Sequence, residues 1–310
     1  MAVGFVSLHF DANLQSKSFM KKLLLFLVIV GCLLGDLAAA SPARRSVKYQ
    51  QPAGTVKVIS YNIRFDSDYS RRLDSTNAWN FRKEATLEMI QREAPAAFGL
   101  QEAMANQVQY IQKAFPQYKH VGVGRDDGRK AGEFMAIFYL KSNFKLLGHG
   151  TYWLSETPEQ VSKGWDAACK RTLTWVQLQE KSTGKTFYYF NTHLDHLGET
   201  ARRESVKLIA RIIEEKVPAG TPVILGGDMN SDINSPIFAP LADIGLQSAR
   251  DQAPLTDHQA TFNGFGSAST VIDHLFLRDA VPLSFRTLTD EYGAPYISDH
   301  YPIEVVICFF

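Results

Sequence analysis

The sequence has little of the features that mark several protein classes, beginning with cysteine. It contains three cysteines in 310 residues, too few for a disulfide scaffold, and no Cys/His spacing suggests a structural zinc site. The formal net charge is +1, so the chain lacks the Lys/Arg excess of domains that hold long nucleic acid mainly through a basic field. An apolar fraction of 45% is ordinary for a globular protein and excludes wholesale disorder.

A membrane-spanning apolar run is also absent. The one candidate, residues 23–34, is shorter than the about 20 residues that a span takes. It follows two lysines and precedes small residues at 38–40, which is the order of a cleaved secretory signal. The sequence therefore predicts a signal segment over residues 1–40, in which Met20 is an alternative start.

Export has two alternative forms. Cleavage near Ala40 would release a periplasmic or extracellular protein without a transmembrane span. Residues 29–32 resemble a bacterial lipobox, so a lipoprotein anchored through Cys32 is the alternative, although the residues after it are apolar rather than polar. After the signal segment, residues 41–54 read as a polar linker, and residues 55–310 are predicted to form a single domain.

Runs of β-branched and aromatic residues bounded by turn residues predict eight strands. They lie at residues 56–62, 96–101, 134–140, 172–178, 187–193, 223–227, 271–277 and 303–307. Apolar residues at helical spacing predict helices at residues 77–94, 103–115 and 201–217, the first through a face made of Phe81, Ala85, Met89 and Ile90. A strand, a helix and a second strand occur in this order twice. Two such units facing one another predict a two-sheet α/β sandwich with helices on its outer faces.

Polar residues stand where most of these strands stop, which is where open α/β sheets place ligand sites. Glu102 follows an apolar strand, and Asp228 and Asn230 lie on one side of the extended segment that follows two glycines. Each has a structural alternative, a helix cap for Glu102 and a side-chain turn for the other two. Carboxylate oxygens suit Mg²⁺ or Mn²⁺, and a cation, a base and hydrogen-bond donors are what phosphate ester hydrolysis needs.

Asp273 lies within an otherwise apolar strand, so its carboxylate should be paired. His300 is the candidate partner, since it ends the segment Ser298-Asp299-His300 just before the last strand. The alternative for that segment is a surface turn. His274 alternates to the other face of its strand and is predicted to be structural.

Six short motifs carry a family resemblance. They are Tyr61-Asn62, Gln101-Glu102, Asn191-Thr192-His193-Leu194, Gly227-Asp228-Met229-Asn230, Ile272-Asp273 and Ser298-Asp299-His300. Their order and spacing resemble the endonuclease/exonuclease/phosphatase superfamily, which includes deoxyribonuclease I, the deadenylases and nocturnin, and most of all its small exported bacterial members. The resemblance covers essentially all of residues 55–310. It implies an α/β fold, a four-layered sandwich of two packed mixed sheets flanked by helices, and a metal-dependent hydrolase of phosphoric esters.

The resemblance also implies which residues bind the metal and activate water. Glu102 would be the principal ligand of Mg²⁺ or Mn²⁺, with Asn62 and Asp299 close to the metal. Asp228, helped by Asn230, would orient or deprotonate the attacking water.

Further roles fall to two histidines and their partners. His300, held by Asp273, would contact the scissile phosphate or assist proton transfer. His193 resembles the second active-site histidine of the family, and Glu133 matches the glutamate that orients it. Arg171 begins a strand and would bind phosphate, with an ordinary surface arginine as the alternative.

Three functions are compatible with this sequence. The favoured one is hydrolysis of nucleic acid or nucleotides, in the manner of a nuclease or 3′–5′ exonuclease, with Trp153 and Trp165 as candidates for stacking on a base or, alternatively, for core packing. The second is a phosphatase, or a sphingomyelinase-type or inositol-phosphate-type enzyme, acting on small or lipid phosphoesters. The third is a non-catalytic binding module, which the complete set of acids and histidines disfavours. Neutral charge favours small or single-stranded substrates, and no protein partner is evident.

Overall fold

Two six-stranded sheets form the centre of the structure, a computed structural model that describes residues 43–46, 48, 54–67 and 76–309. The predicted signal segment and most of the predicted linker lie outside the described residues. Ala43–Phe310 belongs to one compact unit. Within the described ranges, no helix combines the length and the apolar character needed to cross a membrane.

The elements are labelled in chain order. The strands are β1 (Thr55–Asn62), β2 (Ala97–Gln101), β3 (Tyr118–Val121), β4 (Ile137–Leu140), β5 (Phe144–Trp153), β6 (Thr172–Glu180), β7 (Thr186–His193), β8 (Val223–Asp228), β9 (Gln247–Ser248), β10 (Asp273–Arg278), β11 (Val281–Thr287) and β12 (Ile303–Cys308). The α-helices are α1 (Trp79–Glu93), α2 (Ala105–Ala114), α3 (Glu199–Lys216), α4 (Ala239–Asp243) and α5 (Ala249–Gln252). Single 3₁₀ turns lie at Pro236–Phe238 and Gly264–Gly266.

Both sheets are mixed. Their strand orders are β11-β12-β1-β2-β4-β3 and β5-β6-β7-β8-β10-β9. The pairs β1/β2 and β7/β8 are parallel, each pair is joined by a long helix, and the other paired strands run antiparallel. This arrangement confirms the two strand–helix–strand units and the predicted fold class.

Three apolar clusters hold the layers together. Side chains from both sheets, including Val58, Tyr189, Leu275 and Val305, form the middle cluster. Leu87 of α1 and Ile111 of α2 pack on the outer face of the first sheet, and α3 packs on that of the second. Full burial of a Leu or Ile side chain contributes roughly 1.5–3 kcal/mol, so these clusters give the site a rigid frame.

The helical face predicted for α1 is wrong at one position. Phe81 was expected on the buried face, but it is 68% exposed, whereas its neighbour Arg82 is 2% exposed. Ala85, Met89 and Ile90 are buried as expected. Arg82 therefore takes the buried position that the apolar pattern predicts for Phe81. It does so because it has hydrogen-bond partners inside the protein that a local pattern does not reveal.

All eight predicted strands exist, although β4 and β10 begin later than expected, at Ile137 and Asp273. Four strands were missed, namely β3, β5, β9 and β11, and these are the outermost strands of the two sheets. Such strands are partly exposed and so lack a continuous apolar run. The alternating burial of β5 shows this directly.

Candidate functional site

The polar ends of the central strands meet at one edge of the sandwich. In the second sheet, Asp228 on β8 is paired with His193 on β7 and with Asp273 on β10, so three predicted site residues stand side by side. Strands β7 and β8 approach closely there, because a Cβ at Gly227 would lie 2.0 Å from the carbonyl oxygen of Thr192. The glycine before Asp228 is therefore required by main-chain packing.

The amide of Asn62 joins the two sheets. Its Nδ2 donates to Glu102 Oε1 at 3.1 Å and to Asp228 Oδ2 at 3.0 Å. Its Oδ1 accepts a hydrogen bond from the main-chain N–H of Arg64 at 3.1 Å. Since Asn62 is fully buried, these contacts fix both carboxylates relative to each other.

Asp228 lies at the centre of the cluster. Its Oδ1 accepts from the main-chain N–H of Asn230 at 2.9 Å, and its Oδ2 lies 3.4 Å from His193 Nε2 and 3.7 Å from His300 Nε2. Burial, followed by the negative charge of Asp273, raises the pKa of Asp228 to about 7. A buried carboxylate with a raised pKa is suited to accept a proton near neutral pH.

His300 is paired as the sequence predicts. Its Nδ1 lies 2.8 Å from Asp273 Oδ2, and the ring packs against Phe262 with centroids 4.9 Å apart. Burial lowers the pKa of His300, but the carboxylates of Asp273 and Asp228 outweigh it and raise this pKa to about 10. The ring is therefore an imidazolium at neutral pH, and its Nε2–H can donate to a phosphoryl oxygen.

His193 has a different environment. Its Nε2 lies 3.1 Å from Asn230 Nδ2, whereas its buried Nδ1 has no hydrogen-bond partner in the described part of the chain and lies 4.0 Å from Glu133 Oε2. Arg125 Nη1 holds Glu133 Oε2 at 2.6 Å. Burial, with the charges of Arg171 and Arg125, lowers the pKa of His193 well below its ordinary value. Glu133 thus lies next to His193 at more than hydrogen-bond distance, and its role in orienting that ring stays a prediction.

Glu102 and Asp299 face a guanidinium that the sequence analysis missed. Arg64 Nη1 lies 3.3 Å from Asp299 Oδ2 and 4.0 Å from Glu102 Oε2. Burial would raise the pKa of Glu102, but Arg64, His300 and hydrogen bonds from Asn62 and the main chain lower it. Burial and the charge of Glu102 raise the pKa of Asp299. The sequence feature that could have identified Arg64 as a site residue is its position two residues after Asn62.

Three of the seven non-glycine residues with a positive φ in the described part of the chain lie in this site. Arg64, Glu102 and Asn230 are not glycine, yet their φ values are +58°, +60° and +47°. Such conformations cost on the order of 1–3 kcal/mol each and persist where surrounding contacts over-determine them. The side chains of Asn62 and Asp228 supply two of those contacts by accepting from the main-chain N–H groups of Arg64 and Asn230.

The donor set fits a hard divalent cation. Glu102 and Asp299 are buried carboxylates with Asn62 beside Glu102, and their oxygens are the ligands that hard divalent cations prefer. A second group, Asp228, Asp273 and His300, has ligand atoms within 4.8 Å of one another. In this second group His300 Nδ1 already bonds to Asp273, and the raised pKa of His300 favours a positively charged ring, which repels a cation. The oxygens around Glu102 therefore suit a cation better.

Arg171 is neither exposed nor paired with the central carboxylates. It is 4% exposed, its Nε donates to Asp195 Oδ2 at 3.1 Å, and its Nη2 lies 2.9 Å from His196 Nδ1. Its charge nevertheless lowers the pKa of His193, so the guanidinium borders the site. Phosphate binding by Arg171 stays a prediction.

Other sequence candidates lie outside the cluster. Trp153 is buried and its Nε1 donates to the carbonyl of Arg125 at 2.8 Å, which agrees with core packing. His274 Nε2 lies 2.8 Å from the carbonyl oxygen of Ser231, in keeping with its predicted structural role. Cys169 and Cys308 are both free thiols.

The His300–Asp273 pair predicts a pH-dependent stability. The folded-state pKa of His300 is raised from 6.5 to about 10, so the stabilisation is fully present below the unfolded pKa and is lost as the pH rises through the folded one. The urea-unfolding free energy of the wild type should therefore exceed that of His300→Gln most at about pH 6 and least at about pH 10. A difference that is independent of pH would contradict the assignment of charge.

Known proteins resemble this chain in sequence and in fold. The model of the Endonuclease/Exonuclease/phosphatase family matches residues 59–300, which span every residue of the cluster. A solved structure of an endonuclease/exonuclease/phosphatase family protein from Bacteroides thetaiotaomicron is 34% identical, with a TM-score of 0.78, and covers 84% of this chain and 99% of that chain.

Two further solved structures differ in how similar they are to this chain. A mannosyl-6-phosphatase from Bacteroides thetaiotaomicron is 33% identical, with a TM-score of 0.76, over 82% of this chain and 100% of that chain. The human nocturnin catalytic domain is 18% identical, with a TM-score of 0.64, over 84% of this chain and 96% of that chain. The likeness to nocturnin is one of fold alone.

Proposed function

Because the chain belongs to the endonuclease/exonuclease/phosphatase family, we propose that it is a divalent-metal-dependent phosphoesterase that hydrolyses small phosphate monoesters, sugar phosphates in particular. The observation that carries the activity is the position of Asp228, a buried carboxylate between His193 and His300 that Asn62 ties to Glu102. The substrate class is supported by the 33% identity to a mannosyl-6-phosphatase over the whole of that chain.

The charge of the chain supports a small substrate. The net charge of +1 leaves no general basic field for a long polyanion, whereas a few cations at the site are enough for one phosphate group. Nucleotides and single-stranded nucleic acid, which the sequence alone favours, become the competing substrates in the test.

The reaction follows from the positions of five side chains. The imidazolium of His300 and the guanidinium of Arg64 attract the phosphoryl oxygens, and Asp273 keeps His300 charged. Asp228 Oδ2 accepts a proton from water, whose oxygen attacks phosphorus as the bond to the alcohol oxygen breaks. The departing alcohol oxygen takes a proton from solvent, and Asp228 later returns its proton to solvent. Asn62 holds that carboxylate in place.

A metal completes the proposal. Glu102, Asn62 and Asp299 would hold a divalent cation, which when bound would neutralise charge on the phosphoryl group. Its identity, Mg²⁺ or Mn²⁺, is part of the proposal, and so is export by the signal segment predicted at residues 1–40.

A substrate panel with and without chelator tests this function. At fixed Mg²⁺, release of phosphate should be fastest from hexose 6-phosphates, slower from nucleoside monophosphates, and absent from phosphodiesters such as single-stranded DNA. Excess EDTA should abolish turnover and added Mg²⁺ or Mn²⁺ should restore it. The variant Glu102→Gln should need a higher concentration of metal, because one anionic ligand is lost.

Two results would overturn the proposal in different ways. Hydrolysis that is undiminished in EDTA would remove the metal dependence. Faster cleavage of single-stranded DNA or RNA than of any sugar phosphate would replace the phosphatase by a nuclease.

A further inference from the structure

Arg82 of α1 is buried, and within the described residues its hydrogen bonds all go to main-chain carbonyl groups. Its Nη1 donates to the carbonyl oxygens of Ile63 and Ile297, both at 2.8 Å. Its Nε donates to the carbonyl of Asn77 at 2.6 Å, and its Nη2 to that of Arg64 at 3.3 Å. A single guanidinium thus connects one helix to two other segments of the chain.

This placement is costly for a charged group. Burial lowers the pKa of Arg82 and outweighs the charges of Asp299 and Glu102, which raise it. An apolar side chain of similar length would fill the space without that desolvation cost. The five N–H donors of arginine, fixed in one plane, can do what an apolar side chain cannot, which is to join several carbonyl groups at set distances.

The carbonyl groups belong to the two segments that carry the site. Ile63 and Arg64 directly follow Asn62, and Ile297 stands two residues before Asp299. Because one atom, Nη1, bonds to both Ile63 and Ile297, it sets the distance between the segments.

Neighbouring hydrogen bonds also link these two segments. Tyr61 Oη donates to the carbonyl of Ile297 at 2.8 Å, and Ser298 Oγ donates to that of Asn62 at 2.7 Å. The bond from Arg82 to the carbonyl of Arg64 also fixes the left-handed turn that turns the Arg64 guanidinium toward Asp299.

We propose that Arg82 is a positioning residue that holds Asn62 and Asp299 at the spacing the metal and phosphate sites require. It touches neither substrate nor metal and acts through the main chain of the segments at 62–65 and 297–300. The part that concerns metal affinity rests on the proposed function, whereas the part that concerns the two segments does not.

The test compares Arg82→Met with a matched change elsewhere. Metal affinity is measured by titration calorimetry with Mn²⁺ alone, and local order by hydrogen–deuterium exchange of the two segments. Arg82→Met should weaken Mn²⁺ binding by about 10- to 100-fold, the range for residues that orient metal ligands. Amide exchange at 62–65 and 297–300 should rise while that of α3 stays unchanged. The control is Arg286→Met, because Arg286 pairs with Glu93 and Glu304, which are not part of the site.

The outcomes separate this inference from the proposed function. Unchanged exchange in both segments, with unchanged Mn²⁺ affinity, would show that Arg82 only fills space. If the wild type binds no divalent cation, the metal proposal fails, and exchange still decides the role of Arg82. Should Arg82→Met not fold, Arg82→Lys, which retains the charge and one donor group, should show the same changes to a smaller degree. Normal exchange in Arg82→Lys would then contradict the proposal.

Discussion

Replacement of Asp228 by asparagine is expected to lower kcat by about 10²- to 10⁴-fold and to leave KM nearly unchanged. Asparagine keeps the shape of the side chain but cannot accept the proton of the attacking water. A group that acts only in the transition state affects turnover rather than substrate affinity when it is removed.

In this structure Asp228→Asn should remove the charge and leave the fold intact. The carboxylate accepts from Asn62 Nδ2 and from the main-chain N–H of Asn230, and an asparagine oxygen can retain one of these bonds. The raised pKa of Asp228 shows that its charge costs stability in the folded state, so the neutral variant should be no less stable. Thermal unfolding and steady-state kinetics on a hexose 6-phosphate measure both effects.

Asp232→Asn is the matched control. Asp232 lies on the same connection but is exposed, and its Oδ1 accepts from the main-chain N–H and the side-chain amide of Asn234. Its replacement should change kcat by less than about twofold, as is usual for surface positions. A folded Asp228→Asn enzyme with normal kcat would exclude Asp228 as the base.

His300→Ala should have an effect of similar size, about 10²- to 10⁴-fold on kcat, because it removes the charged donor to the phosphate. Asp273→Asn should be a weaker form of the same change. It leaves the ring in place but removes the charge that raises the pKa of His300, so the ring loses its proton at a lower pH. The activity of Asp273→Asn should accordingly decline at lower pH than that of the wild type.

A double-mutant cycle decides whether the pair acts as one unit. The combined Asp273→Asn and His300→Ala enzyme should lose clearly less activity than the product of the two single losses. The neighbouring change His274→Ala serves as control, because His274 packs against Phe238 on the opposite face and should affect stability rather than kcat. Strict additivity would mean that Asp273 is a structural carboxylate only.

Four residues of the central cluster were predictable because each stands where an apolar strand ends. Asn62, His193 and Asp228 are the last residues of their strands, and Glu102 follows one directly. The two units of strand, helix and strand placed these ends at a common edge. The edge strands were not predicted, because they are partly exposed and therefore lack the apolar pattern.

The residues that were missed owe their position to contacts distant in sequence. Arg82 reads as part of the polar face of a helix, yet it is buried because it bonds to Ile297, 215 residues away. Arg125 bonds to Glu133 within a connection that has no regular pattern. Arg64 follows a motif residue, but only the left-handed turn shows that its guanidinium faces Asp299. No local periodicity encodes these three arginines.

The pairing of the first strand with the last has a consequence for biosynthesis. β1 lies beside β12, and His300, just ahead of β12, bonds to Asp273 of the other sheet. A chain growing from its amino end therefore cannot assemble the proposed site until His300 and β12 have been made. Products that end before His300 should be inert toward phosphoesters.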